Sequence, residues 1–327
     1  MKRGWPALPA VLLLLLAACG KKAEAPKVES IRIGFLADPL AALLYGAQEK
    51  GLFQRHSLEV AFRDYEGGAY ALKDLRRGEI EVAVATEFAV MMQSLAGNDL
   101  RAVGTLATAN NSEVIARTDR GIHRPEDLKG RRLGVSKGMN TEFLLGAFLA
   151  FNGLRLRDVQ VVDKRPSGLV RALADGEVDA VCLYPPFSYS AKEALNGRVL
   201  SWSAQGGQEY FFLLTTTEQQ LRSRPRAMKA LLAALLDAEE YMTRNRSAAR
   251  NILARRFQLP AGQLAERLAQ LSFQVGLHQD LLTMMEDEAH WAMANGVAES
   301  SQVPNLFQLL SLEMLESLKP EAVGVIH

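Results

Sequence analysis

Short apolar blocks alternate along the first two thirds of the chain with stretches whose apolar residues recur at helical spacing. Ile31 to Phe35 (IRIGF) reads as a strand, followed by a helix to Gly51. Leu58 to Phe62 is a second strand, and Ala69 to Arg77 a helix stopped by Gly78. Val82 to Ala85 is a strand ending at Thr86-Glu87, a helix runs on to Gly97, and Arg101 to Ala107 is a further strand. This rhythm predicts an α/β protein with a parallel-rich sheet and helices on both faces. The stretch from Arg131 to Gly153 repeats the unit most clearly. It gives a buried strand over Arg132 to Val135, a glycine-bracketed loop over Ser136 to Asn140, then a helix with Phe143, Ala147, Phe148 and Phe151 on one face. Gly153 falls at the C-cap. The loop leaves free backbone N–H groups at the positive end of the helix dipole, which suits an anion or a polar ligand oxygen.

The pattern occurs twice. Gly34, Gly51 and Gly78 answer to Gly134, Gly153 and Gly176, at offsets of about one hundred residues. The closest local match sets Leu75 to Val82 against Leu173 to Ala180. In both, a helix stops at a glycine and an acidic-apolar-acidic run feeds a strand. Two βαβ-type lobes are therefore expected around a cleft, joined by two crossovers near Val114–Arg117 and Gly206–Thr215. The boundaries are residues 31–115 for the first lobe and 116–207 for the second, with 208–327 returning to the first and adding helices. Ligands of open α/β sheets bind beyond the carboxyl ends of the strands. The loops at Asp38-Pro39, Thr86-Glu87, Ser136 to Thr141 and Tyr184 to Ser188 would then share one gap. Beyond Thr217 the pattern turns helical, over Pro225–Asn245, Ser247–Phe257, Ala261–Leu271, His278–Asn295 and Asn305–Leu318, with Pro225, Ser247 and Pro260 as start signals.

Composition changes this picture little. The 327 residues carry 38 basic and 37 acidic side chains, and 48% are hydrophobic. A sequence pI of about 7.8 gives no signature of nucleic-acid binding. The first 18 residues stand apart. Lys2 and Arg3 precede the apolar run Val11 to Leu16, and Leu16-Ala17-Ala18-Cys19 places small residues before a cysteine. The run is too short to span a membrane and has the form of a secretion signal. It resembles a bacterial lipobox, which implies cleavage before Cys19, lipid (palmitate) on its thiol, and a polar tether over residues 19–30. One cysteine then remains, Cys182, a small core residue in a strand-like run. No disulfide and no Cys/His metal spacing is available.

From Ile31 to Thr217 the sequence resembles the periplasmic solute-binding proteins of ABC importers, of the nitrate, sulfonate and taurine type, and the related binders of thiamine-pyrimidine precursors. The resemblance rests on the loop after the first strand with Gly51-Leu52-Phe53, on Pro125-Glu126-Asp127-Leu128-Lys129-Gly130, on Gly134-Val135-Ser136-Lys137-Gly138, and on Gly176-Glu177-Val178-Asp179-Ala180. It implies the type II periplasmic binding protein fold, a small polar solute as ligand, membrane permease subunits as partners, a monomer, and no cofactor. Carried over by position, it places Asp38, Thr86 and Glu87 on the first-lobe wall and gives donors from Ser136, Lys137, Gly138, Met139, Asn140 and Thr141. Asn110, Tyr184 and Glu209, beside the crossovers and strand ends, complete the candidate ligand contacts. Where such proteins often have Trp-Glu-Pro-Phe, this chain has Tyr184-Pro185-Pro186-Phe187, without the acidic side chain. The cysteine-rich motif of related thiamine-pyrimidine synthases is absent, so that enzyme activity is not expected.

Several residues carry a second reading. Asp38 before Pro39 suits a helix cap as well as a ligand contact. Lys137 can pair with a ligand or face water, Asn110 and Asn111 can form turns, and Tyr184 and Phe187 can stack on a ligand or fill a core. Glu142 suits the helix dipole. Gly134-Val135-Ser136-Lys137-Gly138 also has the G-x-S-x-G form of a hydrolase nucleophile elbow, with His278 and His290 downstream. A sensor subunit with the same ligand chemistry is a further alternative. The expected protein is a lipid-anchored receptor at the outer face of a cell membrane that closes on its solute without performing chemistry.

Overall fold

The computed structural model describes Met1 and residues 28–95, 97, 99–300 and 302–326. The leader, Cys19 and most of the tether lie outside the described residues. The chain first lays down β1 (Glu29–Phe35), α1 (Ala42–Glu49), α2 (Leu52–Arg55), β2 (Leu58–Asp64), α3 (Gly68–Arg76), β3 (Val82–Thr86), α4 (Glu87–Ser94) and β4 (Leu100–Ala109). A second run follows: β5 (Glu113–Arg117), β6 (Arg132–Val135), α5 (Asn140–Phe151), β7 (Gln160–Asp163), α6 (Pro166–Asp175), β8 (Ala180–Leu183), α7 (Phe187–Ala194) and β9 (Val199–Ser203). β10 (Tyr210–Thr217) returns to the first sheet.

The two sheets have the same order. In the first, β2, β1 and β3 are parallel neighbours, β10 runs antiparallel beside β3, and β4 lies beyond it. In the second, β7, β6 and β8 are parallel, β5 runs antiparallel beside β8, and β9 lies beyond. In each sheet the antiparallel strand is the one that has just arrived from the other lobe. The expected two-lobed α/β architecture with two crossovers is what the chain forms. The first switch comes slightly early: Val114–Arg117 already pairs within the second sheet, so the chain changes sheets at residues 110–112.

The repeat extends to side chains. Arg32 forks onto Glu81, with Nη2 to Oε1 at 2.7 Å and Nε to Oε2 at 3.1 Å, and also donates to the Gly78 carbonyl at 3.0 Å. Arg132 does the same to Asp179, at 2.7 and 3.2 Å, and to the Gly176 carbonyl at 2.8 Å. Each acid also accepts the backbone N–H of its arginine. Each pair ties the first strand of a lobe to the run feeding its third strand. The fork needs the planar guanidinium. Burial alone would raise the Asp179 carboxyl, but the hydrogen bonds from Arg132 hold it below its ordinary value. The pair therefore contributes at neutral pH, and its contribution is lost as pH falls into the acid range. Replacing Arg132 by Ala strands a largely buried carboxylate and should cost about 2 kcal/mol. Arg132→Lys should recover only part of that, measured as the urea midpoint at pH 7. Gly34 and Gly134 are equivalent too: a Cβ on them would stand 2.6 Å from Ile80 Cδ1 and from Leu169 Cδ2 respectively, so the crossing helix and loop pack directly on the strand backbone.

Phe143 and Phe148 are buried as expected, as are Phe35 and Cys182. Phe151 is not: it is 90% exposed, because α5 is covered from Asn140 to Leu149 and its last turn emerges into solvent. The C-terminal region adds α8 (Glu218–Ser223), α9 (Pro225–Arg244), α10 (Arg246–Phe257), α11 (Ala261–Leu268), β11 (Leu271–Ser272), β12 (Leu277–His278), α12 (Gln279–Ala294), α13 (Glu313–Leu318) and β13 (Val323–Gly324). Two expected helices are shorter than their patterns. Leu271 leaves its helix to pair with Ala109 on the edge of β4. Asn305–Leu318 is interrupted at Leu310, which bridges to Ala102 while Ser311 donates to the Ala102 carbonyl at 2.9 Å. In both cases a free sheet edge competes with the helix for backbone partners.

Candidate functional site

The loops at the carboxyl ends of the parallel strands meet between the lobes around a narrow cavity. Leu36, Leu40, Gly67, Gly68, Val84 and Thr86 line it from the first lobe, Met139, Asn140 and Tyr184 from the second, and Tyr210 and Phe212 from the returning strand. Its open volume is ≈ 20 Å³, about the space of one water molecule. The lobes touch directly beside it. Tyr184 Oη donates to the Glu66 carbonyl at 2.7 Å, Ser167 donates to the Glu66 carboxylate from its backbone N–H at 3.2 Å and from Oγ at 3.0 Å, and the Arg165 guanidinium lies 4.3 Å from the Tyr70 ring centre.

Two adjacent glycines allow this approach. A Cβ on Gly68 would stand 2.3 Å from Ala85 Cα, so the start of α3 rests on the backbone of β3. A Cβ on Gly67 would stand 2.0 Å from Met139 Cε and 2.8 Å from Tyr184 Oη, both on the opposite lobe.

Of the residues singled out from sequence, Thr86, Met139, Asn140 and Tyr184 line the cavity. Asp38 lies between the lining residues Leu36 and Leu40 and caps the turn that follows, its Oδ1 accepting from Leu40 N–H at 3.1 Å. Burial pushes its carboxyl up to about 7. Its carboxyl is thus harder to ionise in the folded chain than in the unfolded one, and it subtracts from stability progressively as pH rises from about 4 towards 7. At the start of α5, Asn140 Nδ2 and Thr141 Oγ1 are buried with no hydrogen-bond partner among the described residues, and Met139 gives no side-chain cap. Gly138, in the left-handed region at φ 73°, donates its N–H to Glu142 Oε2 at 2.8 Å, so Glu142 serves the helix start from within.

The remaining candidates are engaged elsewhere. Ser136 Oγ donates to the Lys164 carbonyl at 2.8 Å. Lys137 is exposed, its backbone N–H on Asp163. The backbone N–H of Asn110 meets the Gln270 carbonyl, while Asn111 accepts from Tyr210 Oη at 2.5 Å. Exposed Glu209 accepts from Thr108 Oγ1 at 2.7 Å. Glu87 is fully buried and accepts from Phe211 N–H at 2.8 Å; burial raises its carboxyl and that of Glu288 on α12. It fastens α4 to β10 and does not line the cavity. The hydrolase geometry is not formed either: His278 faces Gln274 and His290 faces the Glu286 carbonyl, away from Ser136.

The lining residues that the sequence reading passed over are Leu36, Leu40, Gly67, Gly68, Val84, Tyr210 and Phe212. The Gly67-Gly68 pair after β2 was the available signal, because a glycine at a strand end marks close backbone approach.

Comparison with known proteins decides the family. The sequence model described as NMT1/THI5 like matches residues 38–249, well over half of the chain. The chain belongs to the NMT1/THI5-like family. Among its relatives, a putative binding protein of Brucella abortus (strain 2308) is 27% identical over 229 residues, covering 69% of this chain and 70% of that protein. A putative aliphatic sulfonates-binding protein of Escherichia coli (strain K12) is 27% identical over 250 residues, covering 73% and 75%. The alkanesulfonate-binding protein SsuA from Xanthomonas axonopodis pv. citri, solved bound to MOPS, superposes with a TM-score of 0.74 at 22% identity, over 88% of this chain and 100% of that one. The fold is thus that of the periplasmic binding proteins. The NMT1/THI5-like segment holds both crossovers and every cavity residue except Leu36. The later helix α12, with Glu288, lies beyond it. Among the described residues no helix is long and apolar enough to cross a membrane, and no His/Cys/Asp/Glu cluster could hold a metal ion.

Proposed function

We propose that this NMT1/THI5-like protein is the lipid-anchored, extracytoplasmic solute receptor of an ABC importer. It captures a small polar solute between its lobes and hands it to membrane permease subunits. One observation carries the reading: the cavity between the lobes is walled by strand-end loops from both, and buried donors at the start of α5 lack partners among the described residues. A solute bridging the two walls would be bound most tightly by the closed form, so binding and closure are one equilibrium. The Leu16-Ala17-Ala18-Cys19 sequence supports the anchor. The serine-hydrolase alternative loses support because Ser136 Oγ is committed to a carbonyl.

The lining narrows the solute. No arginine or lysine is among the lining residues, three aromatic rings are, and buried Asp38 lies between Leu36 and Leu40 in the chain, its carboxylate on the Leu40 N–H. This favours a small solute that carries an amine, taurine-like or aminopyrimidine-like, over a bare anion such as nitrate. The test is calorimetric titration with taurine, alkanesulfonates, nitrate and aminopyrimidines between pH 5.5 and 8. An amine that stays cationic over this range favours the Asp38 carboxylate. Its affinity should rise with pH up to about 7 and then level off, and Asp38→Asn should remove the dependence. A bare anion gives the opposite slope. Absence of binding by any of them at millimolar concentration sinks the receptor reading.

A further inference from the structure

A second cavity lies away from the cleft, with ≈ 310 Å³ of open volume, at the lower end of the size of small-molecule pockets (about 300–1,000 Å³). It is a solvent-open pocket bounded by α1, α9, α10, α11 and the β11 segment. Its apolar wall is Leu43, Met242, Leu253, Leu268, Leu271 and Phe273.

The face that α10 turns toward it is unusual. Arg246, Ala249, Arg250 and Leu253 recur at i, i+3, i+4 and i+7, which is one helical stripe, and all four line the cavity. Ala249 and Leu253 are buried with Ile252, and Arg246 and Arg250 are exposed along the solvent edge of that face. At i and i+4 their like charges are neighbours and repel. Neither has a hydrogen bond or ion pair among the described residues, whereas other arginines of this region are engaged: Arg244 with Glu240, Arg255 with Glu49, and Arg256 over the Tyr45 ring. The acid that lines the cavity, Glu239, is turned to other partners, Lys319 Nζ at 3.5 Å and the Val275 N–H at 3.4 Å. Thr243 adds one hydroxyl to the rim.

We propose that this cavity is a second ligand site, which takes a free amphiphilic anion: a carboxylate head held between Arg246 and Arg250, with an aliphatic chain laid along Leu43, Met242, Leu253, Leu268 and Phe273. A guanidinium pair offers forked donors that match a carboxylate, and the aliphatic chain would cover the part-exposed side chains of Leu268, Leu271 and Phe273. The site is built by the helices on the outer side of the first lobe, so its occupancy does not depend on the cleft solute.

Decanoate is the probe. The full chain carrying Cys19→Ser, which takes no anchor, is titrated by calorimetry with decanoate, decanol and decyltrimethylammonium. The expected result is saturable one-to-one binding of decanoate, at least tenfold tighter than either control. Arg246→Gln/Arg250→Gln should weaken it at least tenfold, and Gly67→Leu, which fills the cleft, should leave it unchanged. Failure of the cleft reading would therefore leave this result standing, and the reverse also holds. Decanoate binding that is absent, or unchanged in the double variant, overturns the proposal. So does binding lost in Gly67→Leu, which would place decanoate in the cleft. Sedimentation with phosphatidylglycerol vesicles is the other arm. Vesicle binding that needs both arginines, without saturable decanoate binding, assigns the patch to a lipid surface and overturns the free-ligand site.

Discussion

Gly67→Leu should abolish solute binding, by at least 100-fold, while moving the unfolding temperature by no more than a few degrees. Gly68→Leu, one residue on and also in the cavity wall, should lower stability as well as binding. The backbone at Gly67 is extended, at φ 172° and ψ 158°, so any residue can adopt it. What a side chain meets there is the far end of Met139 and the hydroxyl of Tyr184, both on the opposite lobe. An open pair of lobes accommodates the leucine, so the folded lobes keep their packing. With the lobes in contact it is excluded, because even its Cβ runs into Met139 Cε and Tyr184 Oη. At Gly68 the obstruction is Ala85 Cα at 2.3 Å and the Val84 carbonyl oxygen at 2.8 Å, the backbone of a central strand that cannot step aside. Overpacking of that kind costs about 1–3 kcal/mol and occasionally more. Calorimetric titration and thermal unfolding of both variants separate the two effects. Equal loss of stability in both would show that the loop is structural throughout and that Gly67 has no part in closure.

The neighbouring glycines also show how far the sequence could be read. The lobes, their repeat and the strand-end loops follow from local rules: apolar blocks, helical spacing and glycines at element ends. Gly51, Gly78, Gly153 and Gly176 all take positive φ, as helix-stopping glycines do. The first helix nevertheless stops at Glu49, and Gly51 opens a second short one. The cavity was only partly legible. Thr86, Met139, Asn140 and Tyr184 sit at the ends of elements that the pattern locates, and they line the gap. Glu87 follows Thr86 directly, yet the helix it begins turns its carboxyl the other way, toward Phe211 and the buried Glu288 from a segment two hundred residues later. Tyr210 and Phe212 were out of reach for a different reason. They sit on the strand that returns from the other lobe, and only the antiparallel register against β3 and β4 sets which of its side chains meet the gap. The Arg32–Glu81 and Arg132–Asp179 forks were written in the sequence as an arginine two residues before each strand glycine, paired with an acid three residues after each helix-stopping glycine, Gly78 and Gly176. Once the repeat is seen, the second fork follows from the first.

Glu66 should set how long the closed form lasts. It belongs to the loop between β2 and α3, and its carboxylate reaches across the gap to the first turn of α6, where Ser167 donates both its N–H and its hydroxyl. A carboxylate on free N–H groups at a helix start is favoured by the helix dipole as well as by the hydrogen bonds. These contacts join two lobes, so they count toward the closed form and cancel from the stability of either lobe alone. Hydrogen bonds to a charged group contribute about 1.5–3 kcal/mol. Glu66→Ala should therefore weaken solute binding by roughly 10- to 100-fold, chiefly through faster release. Glu66→Gln keeps the acceptor without the charge and should fall between. The Tyr184 hydroxyl donates to the Glu66 backbone carbonyl, which survives in both variants, so a residual clasp remains and binding should not vanish. A double-mutant cycle with Ser167→Ala isolates the hydroxyl part of the contact, since the backbone N–H remains. Coupling of less than about 0.5 kcal/mol would mean that the two side chains act independently and that this contact does not hold the lobes together. Stopped-flow release measured on the same four proteins tells a weaker clasp, which raises the off-rate, from a damaged entry path, which lowers the on-rate.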